Sequence, residues 1–255
     1  MNKKIFSIIT ITFNNYKGLK KTYESLINQS TNNFNWIVID GNSNDKTKFF
    51  LEELLQKHNF LTYISEEDKG IYDAMNKGLR LSNDEYVYFL NAGDVFVNNY
   101  TLAKVEEKII QNNKPDFVYG DSLEESMITS ETFYKKSRSY KTIWYGMFTH
   151  HQAMFYKNID KLQYSLDYKI ASDYDYTIKF LKQTVSKVYI NEAICIFEKG
   201  GISSTQDALG EAEQWKIRKN EMGYSYITLF SIKTIHKILK FIKNNIYPLY
   251  VKIRY

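Results

Sequence analysis

The chain has 255 residues, 44% hydrophobic and 25% charged, enough to bury a sizeable core in one large domain or one domain with an appendage. With 22 Tyr, 16 Phe and 2 Pro it argues against disorder, and a lone Cys195 excludes a disulfide framework or a cysteine-based zinc site. The formal charge of +5 gathers at one end: residues 224–255 carry Lys233, Lys237, Lys240, Lys243, Lys252 and Arg254 with no acid, leaving the rest close to neutral.

Residues 7–13 (SIITITF) are β-branched, bounded by polar residues, and read as a central strand. Lys3 and Lys4 ahead of this run give it the outline of a signal peptide. Ser7, Thr10 and Thr12 break the run, however, and Asn14 and Asn15 follow where a cleavage site needs small residues. The expected location is therefore cytoplasmic, and no stretch is long and apolar enough to span a bilayer.

Residues 19–29 predict a helix with Leu19, Tyr23, Leu26 and Ile27 on one face. WIVID (36–40) reads as a second buried strand, followed by a turn and a helix over 46–58 with Phe49, Phe50 and Leu54 inward. A strand at 61–65, a helix near 71–81 and a strand at 86–90 continue the alternation. Further on, a helix is expected at 100–111, a strand and turn at 116–121, and a polar loop or edge hairpin over 124–140. Residues 150–156 look like a strand entry, 173–182 a helix, 188–197 one or two short strands, and 198–204 (EKGGISS) a loop. Helices at 209–222 and 227–245 close the chain, the second stopped near Pro248.

Strands alternating with helices of this length predict right-handed βαβ crossovers and an α/β fold with a mostly parallel central sheet. Ligands bind such sheets beyond the carboxyl ends of the strands. Polar residues stand at those ends: Thr12 and Asn14, Asp40, Asp68, then Asn91 and Asp94. Asp40 can offer its carboxylate to a ring N–H, or cap the helix that follows; Asp45 fits the capping role better, because Lys46 and Thr47 open that helix. Gly70 permits close backbone approach beside a helix N-terminus suited to an anion. Asn76 and Gly78 can equally be packing and C-cap features. Asp94 can hold a metal or cap the next helix. Asp173 and Asp175, two apart at a helix start, diverge by about 200°, so one can face a cleft while the other caps. His150 and His151 are the remaining ionisable pair, and Cys195 in AICIF reads as a buried, inert thiol.

Four segments in order, SIITITFNN, WIVIDGNSNDKT, SEEDKGIYDAMNKGL running into YVYFLNAGD, and ASDYDYTIKF, resemble the family 2 glycosyltransferases. The resemblance spans residues 5 to about 200 and implies a GT-A fold, Rossmann-like, that uses nucleotide-sugar donors. It implies donor binding by Thr12, Asn14, Asp40, Asp68 and Asn91, with Asp40 on the uracil of a UDP donor and Asp68 on the nucleoside. Asn76 and Gly78 belong to the same family signature. The family's Asp-rich motif, which holds Mn²⁺ or Mg²⁺ against the diphosphate, here reads Asn91-Ala92-Gly93-Asp94. Asp94 is the implied metal ligand, with Asn91 on the ribose or metal-bound water. The usual Glu-Asp base motif is Ser172-Asp173 here, making Asp173 the implied catalytic base, Asp175 a supporting residue and His151 a further candidate. Gly200, Gly201, Ile202 and Ser203 would form a mobile segment near the donor.

The implied activity is inverting, metal-assisted transfer of a hexose or N-acetylhexosamine to a saccharide or lipid-linked saccharide, in bacterial surface-polysaccharide synthesis. Residues 1–223 would form the catalytic domain and 224–255 a basic amphipathic helical tail. On that helix Ile235, Ile238, Leu239, Ile242 and Ile246 share one face and the lysines another. Such a helix can lie on an anionic membrane, each Lys contributing about 1 kcal/mol, or pack on the body with its lysines in water. A nucleotidyltransferase would need a Gly-rich, Lys- or Arg-bearing loop after the first strand, which is missing. A non-catalytic sugar-nucleotide-binding protein would keep Asp40 and dispense with Asp173. Nucleic acid is not an expected partner, because the acidic strand ends repel phosphate unless a metal intervenes.

Overall fold

In the computed structural model, which describes residues 3–126, 131–159, 162–199 and 207–246, the sheet is laid out around β1 (Phe6–Thr12). Its alternating side chains feed two cores, Phe6 and Ile8 on one face and Ile9 on the other. β2 (Phe34–Asp40) and β4 (Tyr86–Phe89) flank β1 in parallel, and β3 (Leu61–Ser65) extends the sheet beyond β2. The register pairs Thr12 with Asp40 and Asp40 with Ser65, so three carboxyl ends finish at one level.

Leucines of α1 (Tyr16–Ile27) and α2 (Thr47–Lys57), with Leu102, Val105 and Ile109 of α4 (Thr101–Gln111), cover the first face. Tyr72 and Met75 of α3 (Ile71–Leu81), with Tyr176 and Phe180 of α5 (Ser172–Gln183), cover the other. Trp36 Nε1 donates to Thr10 Oγ1 at 2.9 Å, and that hydroxyl donates to the Leu90 carbonyl at 2.7 Å, which satisfies both polar groups inside the core.

The second half of the sheet adds β5 (Val95–Phe96), β6 (Phe117–Ser126), β7 (Thr132–Lys135), β8 (Met154–Lys157) and β9 (Lys187–Lys199). The order is β3-β2-β1-β4-β8-β6-β9-β5, with β7 paired on β6. β8 runs antiparallel between β4 and β6. Its entry, residues 150–153, therefore lies beside the carboxyl end of β4. This inversion brings a segment remote in sequence to the ligand-binding edge.

α6 (Asp207–Met222) packs on α5 through Ile217, beside Tyr174 and Ile178. α7 (Tyr226–Asn245) buries Leu229 and Ile232, and His236 Nε2 meets the Tyr145 carbonyl at 2.8 Å.

Several details depart from expectation. Phe49, expected inward, is 66% exposed, because α2 presents the stripe Thr47, Leu51 and Leu54 to the core. Ile27, the last residue of α1, also faces out. The strand expected at 116–121 continues to Ser126 and pairs with β7, so the 124–140 segment begins as an edge hairpin. Residues 187–199 form one long strand, kept continuous by a register shift opposite Gly120 and Asp121. On α7, Leu239 and Ile242 are half-buried, and the outward apolar stripe is Ile227, Phe230, Ile238 and Phe241. Gly200, Gly201, Ile202 and Ser203, like Lys252 and Arg254, lie outside the described residues.

Candidate active site

A cavity of about 940 Å³ opens over the carboxyl ends of β1, β2 and β4 and the turn after β3. Thr12, Phe13, Gly41, Asn42 and Asp68 line one end; Asn91, His151 and Asp173 line the other. Its size falls within the usual range of small-molecule sites, roughly 300–1,000 Å³.

At the first end Thr12 Oγ1 is buried without a hydrogen-bond partner among the described residues. Phe13 presents an open ring, 63% exposed. Gly41 lets the strand end approach Asp68, since a Cβ there would stand 2.9 Å from Asp68 Oδ2. Asp68 accepts from Lys77 Nζ at 2.6 Å, and the same ammonium lies 3.0 Å from Glu66 and 3.8 Å from Asp73. Burial nonetheless raises the Asp68 carboxyl above its ordinary range, against the pull of Lys77. Gly70, at φ +114°, opens α3 in a conformation that favours glycine.

Two expected donor residues stand back from this wall. Asp40 is fully buried, and its carboxylate accepts from the Ser43 N–H and hydroxyl and from Ser65 Oγ at 2.6 Å. It anchors the turn whose Gly41 and Asn42 line the cavity. Asn14 joins two loops: its N–H donates to Ser43 Oγ at 2.8 Å, and its Oδ1 accepts from the Asn44 N–H at 2.9 Å. The neighbouring Asn15 reaches the cavity while capping α1 at Gly18. Asp45 accepts from the Thr47 N–H at 2.9 Å at the start of α2. Asn76 holds the main chain of Tyr164 through two hydrogen bonds, at 2.8 and 2.9 Å, and Gly78 packs on Ile9; both are structural in this fold.

At the other end His151 stands between Asn91 and Asp173. Its Nε2 is 3.4 Å from Asn91 Nδ2, and its Nδ1 is 3.9 Å from Asp173 Oδ2. Burial, and then the charge of His150, lower its pKa to about 3, so the ring is neutral. With Asn91 donating to Nε2, the ring proton sits on Nδ1 and faces the carboxylate. Burial raises Asp173 to about 6, against a 2.8 Å hydrogen bond from the Tyr174 N–H. Asp173 is thus held where a proton can arrive near neutral pH.

Asp94 is not among the described residues that line the cavity. It is 5% exposed, and its Oδ2 accepts from Gln152 Nε2 at 2.9 Å. Burial, and then the nearby charge of Asp94, push the Cys195 thiol up. Among the described residues no three His, Cys, Asp or Glu side chains form a group that could hold a metal. Asn91 Oδ1, on the wall at the β4 end, is buried and without a hydrogen-bond partner among the described residues.

Asp175 also turns away, pairing with Lys179 at 2.7 Å on the α6 side of α5, as the divergence along the first turn requires. His150 lines the cavity and meets Ser122 Oγ at 3.1 Å and Lys135 Nζ at 2.8 Å. Its hydrogen bond, outweighing burial and joined by Lys135, holds Glu124 well below the usual carboxylate range. Phe13, Lys77, Lys169 and Phe197 belong to no motif that marks them in the sequence. Only Lys77 left a local trace, the i,i+4 spacing from Asp73.

The same architecture occurs in solved structures. Staphylococcus aureus TarS in complex with UDP-GlcNAc superposes with TM-score 0.69 at 17% identity, covering 96% of this chain and 75% of that one. Against a longer TarS structure the chain spans 42% of the partner's length. A mannosyltransferase of Pyrobaculum calidifontis in complex with GDP-Man and Mn²⁺ gives TM-score 0.59 at 16% identity, covering 92% and 65%. Sheet and cleft together define the class: a glycosyltransferase of the GT-A type. A PGL/p-HBAD biosynthesis glycosyltransferase of Mycobacterium bovis is 28% identical over 224 residues, covering 80% of this chain and 81% of the relative. An uncharacterised glycosyltransferase of Methanocaldococcus jannaschii is 26% identical over 261 residues, covering 97% and 84%. The family described as Glycosyl transferase family 2 matches residues 7–186, and the chain belongs to it.

Proposed function

We propose that this glycosyltransferase moves a hexose or N-acetylhexosamine from a UDP-linked donor to a saccharide or lipid-linked saccharide, with inversion, in bacterial surface-polysaccharide synthesis. The observation that carries this reading is Asp173: a carboxylate on the cavity wall, raised to about 6, backed by a neutral histidine. The solved relatives hold UDP-GlcNAc or GDP-Man, which supports a nucleoside diphosphate sugar as the ligand class. The donor base lies against Phe13 and Gly41, with Thr12 Oγ1 and Asp68 as its polar partners. Asp40 serves the donor by holding the Gly41–Asn42 turn. The diphosphate runs toward Asn91 and Lys169, both on the wall.

Asp173 Oδ2 takes the proton from an acceptor hydroxyl. The freed oxygen bonds to the anomeric carbon as the bond to the diphosphate oxygen breaks, and the nucleotide leaves with that electron pair. General-base help of this kind gives about 10²–10⁴-fold. A displacement from the opposite face inverts the anomeric configuration. A divalent cation, Mn²⁺ or Mg²⁺, would neutralise the diphosphate. It would find Asn91 Oδ1 as its protein oxygen and take most ligands from phosphate and water, as Mg²⁺ commonly does.

The outward stripe of α7, Ile227, Phe230, Ile238 and Phe241, spans about 80° of the helix, with Lys233, Lys237 and Lys240 along one flank. This arrangement suits an anionic membrane surface, on the cytoplasmic side, where a lipid-linked acceptor is presented. Among the described residues no helix is long and apolar enough to cross a membrane.

The test is incubation with UDP- and GDP-sugars, with and without Mn²⁺, reading released nucleotide and the anomeric proton of the product by NMR. Free UDP with an inverted product is expected. Retained configuration rejects the single displacement, and release of pyrophosphate points to nucleotidyl transfer instead.

A further inference from the structure

Glu213, midway along α6 and buried, takes three successive main-chain N–H groups with its carboxylate: Lys169 at 2.8 Å, and Ile170 and Ala171 at 2.9 Å. These residues lead directly into α5, whose second position is Asp173. Successive N–H groups ahead of a helix N-terminus form an anion-binding concavity. Here a side chain 42 residues downstream of Ala171 fills it. Gly210, one turn earlier on α6, permits the approach, since a Cβ there would meet Ile170 Cγ2 at 3.2 Å. On the other side of the segment, Tyr72 Oη of α3 donates to the Ile170 carbonyl at 2.6 Å. The segment is gripped through its N–H groups by α6 and through a carbonyl by α3.

We infer that Glu213 is the positioning residue for Asp173, holding residues 169–171 so that the Asp173 carboxylate stays on the cavity wall. The inference rests on Asp173 as the base. An empty anion site two residues from Asp173 would attract that carboxylate itself; with Glu213 in place the site is filled, and Asp173 faces the substrate. Among the described residues, the titratable groups around Asp173 are Tyr72 on α3, His151 before β8, Tyr156 on β8, Tyr164 in the following loop, and Glu213. Glu213 is the anion among them, so its removal lowers the Asp173 pKa as well as loosening the segment.

The experiment compares wild type, Glu213→Gln, Glu213→Asp and Asp173→Asn by backbone amide exchange and by transfer kinetics across pH. For Glu213→Gln, amides 169–171 exchange faster and kcat falls about 10–10²-fold, while donor KM stays within about twofold. Its acid-limb midpoint also moves to lower pH. Glu213→Asp keeps the charge and the midpoint but not the protection, and it carries the test should the amide variant fail to fold. Unchanged exchange at 169–171, or faster exchange with unchanged kcat and midpoint, overturns the inference. Wild-type transfer by Asp173→Asn overturns the base assignment instead, and the exchange rates then report on the grip by themselves.

Discussion

Gln152 Nε2 donates to Asp94 Oδ2 at 2.9 Å, with both side chains buried. The pair ties the exit of β4 to the entry of β8 and so fixes His151, next in the chain to Gln152, at the cavity wall. In this arrangement Asp94 can act as a strut.

Asp94→Asn keeps an oxygen for Gln152 and removes the charge, so the Mn²⁺ concentration for half-maximal activity stays within about twofold of wild type. Asp94→Ala leaves a buried amide without its acceptor and costs roughly 1–3 kcal/mol in denaturant unfolding. Direct Mn²⁺ binding in the presence of UDP, read from the free-ion EPR signal, separates the roles. Tenfold weaker binding by Asp94→Asn means that Asp94 is a ligand after all.

The strands and helices through residue 111 were legible because each is a short periodic run between clear turns, and parallel pairing follows from their alternation. Thr12, Asp68 and Asn91 reached the cavity because strand ends in register share one edge. Asp94 shows where strand-end reasoning stops: an acid after a strand end is visible in sequence, but its contact with Gln152, 58 residues away, is not. The positions of His151 and Glu213 were equally hidden, since they depend on β8 entering the sheet antiparallel and on α6 folding back across α5. Local patterns carry no trace of such long-range returns.

The Asp173 carboxyl sets a pH dependence. A general base works deprotonated, so kcat/KM rises with pH through a midpoint near 6 and then levels, with no second limb from His151, which stays neutral above about 3. His151→Ala admits water beside Asp173, which moves the midpoint down toward the ordinary carboxylate range. Asp173→Asn loses about 10²–10⁴-fold in rate. Stability runs the other way. An acid whose folded pKa is raised stabilises the fold fully below its unfolded value of 3.8, and that contribution is lost as pH rises through about 6. Asp173→Asn is therefore more stable than wild type at pH 8 by about 1–3 kcal/mol, the lower end allowing for partial exposure, and the gap closes below pH ~4. Urea titrations at the two pH values check this, and equal gaps at both reject it.

Gly78 marks a close approach of α3 to the sheet: a Cβ there would stand 2.4 Å from Ile9 Cγ2. Ile9 is fully buried in β1 and has no open side to move into. Gly78→Ala gains up to about 1 kcal/mol of helix propensity but forces the helix off the strand, for a net loss of roughly 1–3 kcal/mol. Because α3 starts at Gly70, beside Asp68, donor KM rises with the same change. A urea midpoint at or above the wild-type value shows that the packing there is looser than the distance implies.

On α7 the membrane reading and the packing reading make opposite demands on Phe230 and Phe241. Both are exposed, while Leu229 and Ile232 carry the contact with the body. Phe230→Glu with Phe241→Glu places two like charges on the face that would enter an anionic lipid headgroup layer, and leaves the buried contact intact. Flotation with vesicles containing phosphatidylglycerol is expected for wild type and lost in the double variant, with the melting temperature unchanged. Lys233→Glu with Lys237→Glu weakens flotation less at high salt than at low, because screening already removes most of the attraction of about 1 kcal/mol per lysine. Flotation equal to wild type in the phenylalanine variant confines α7 to packing against the body, and removes the argument for a membrane-presented acceptor.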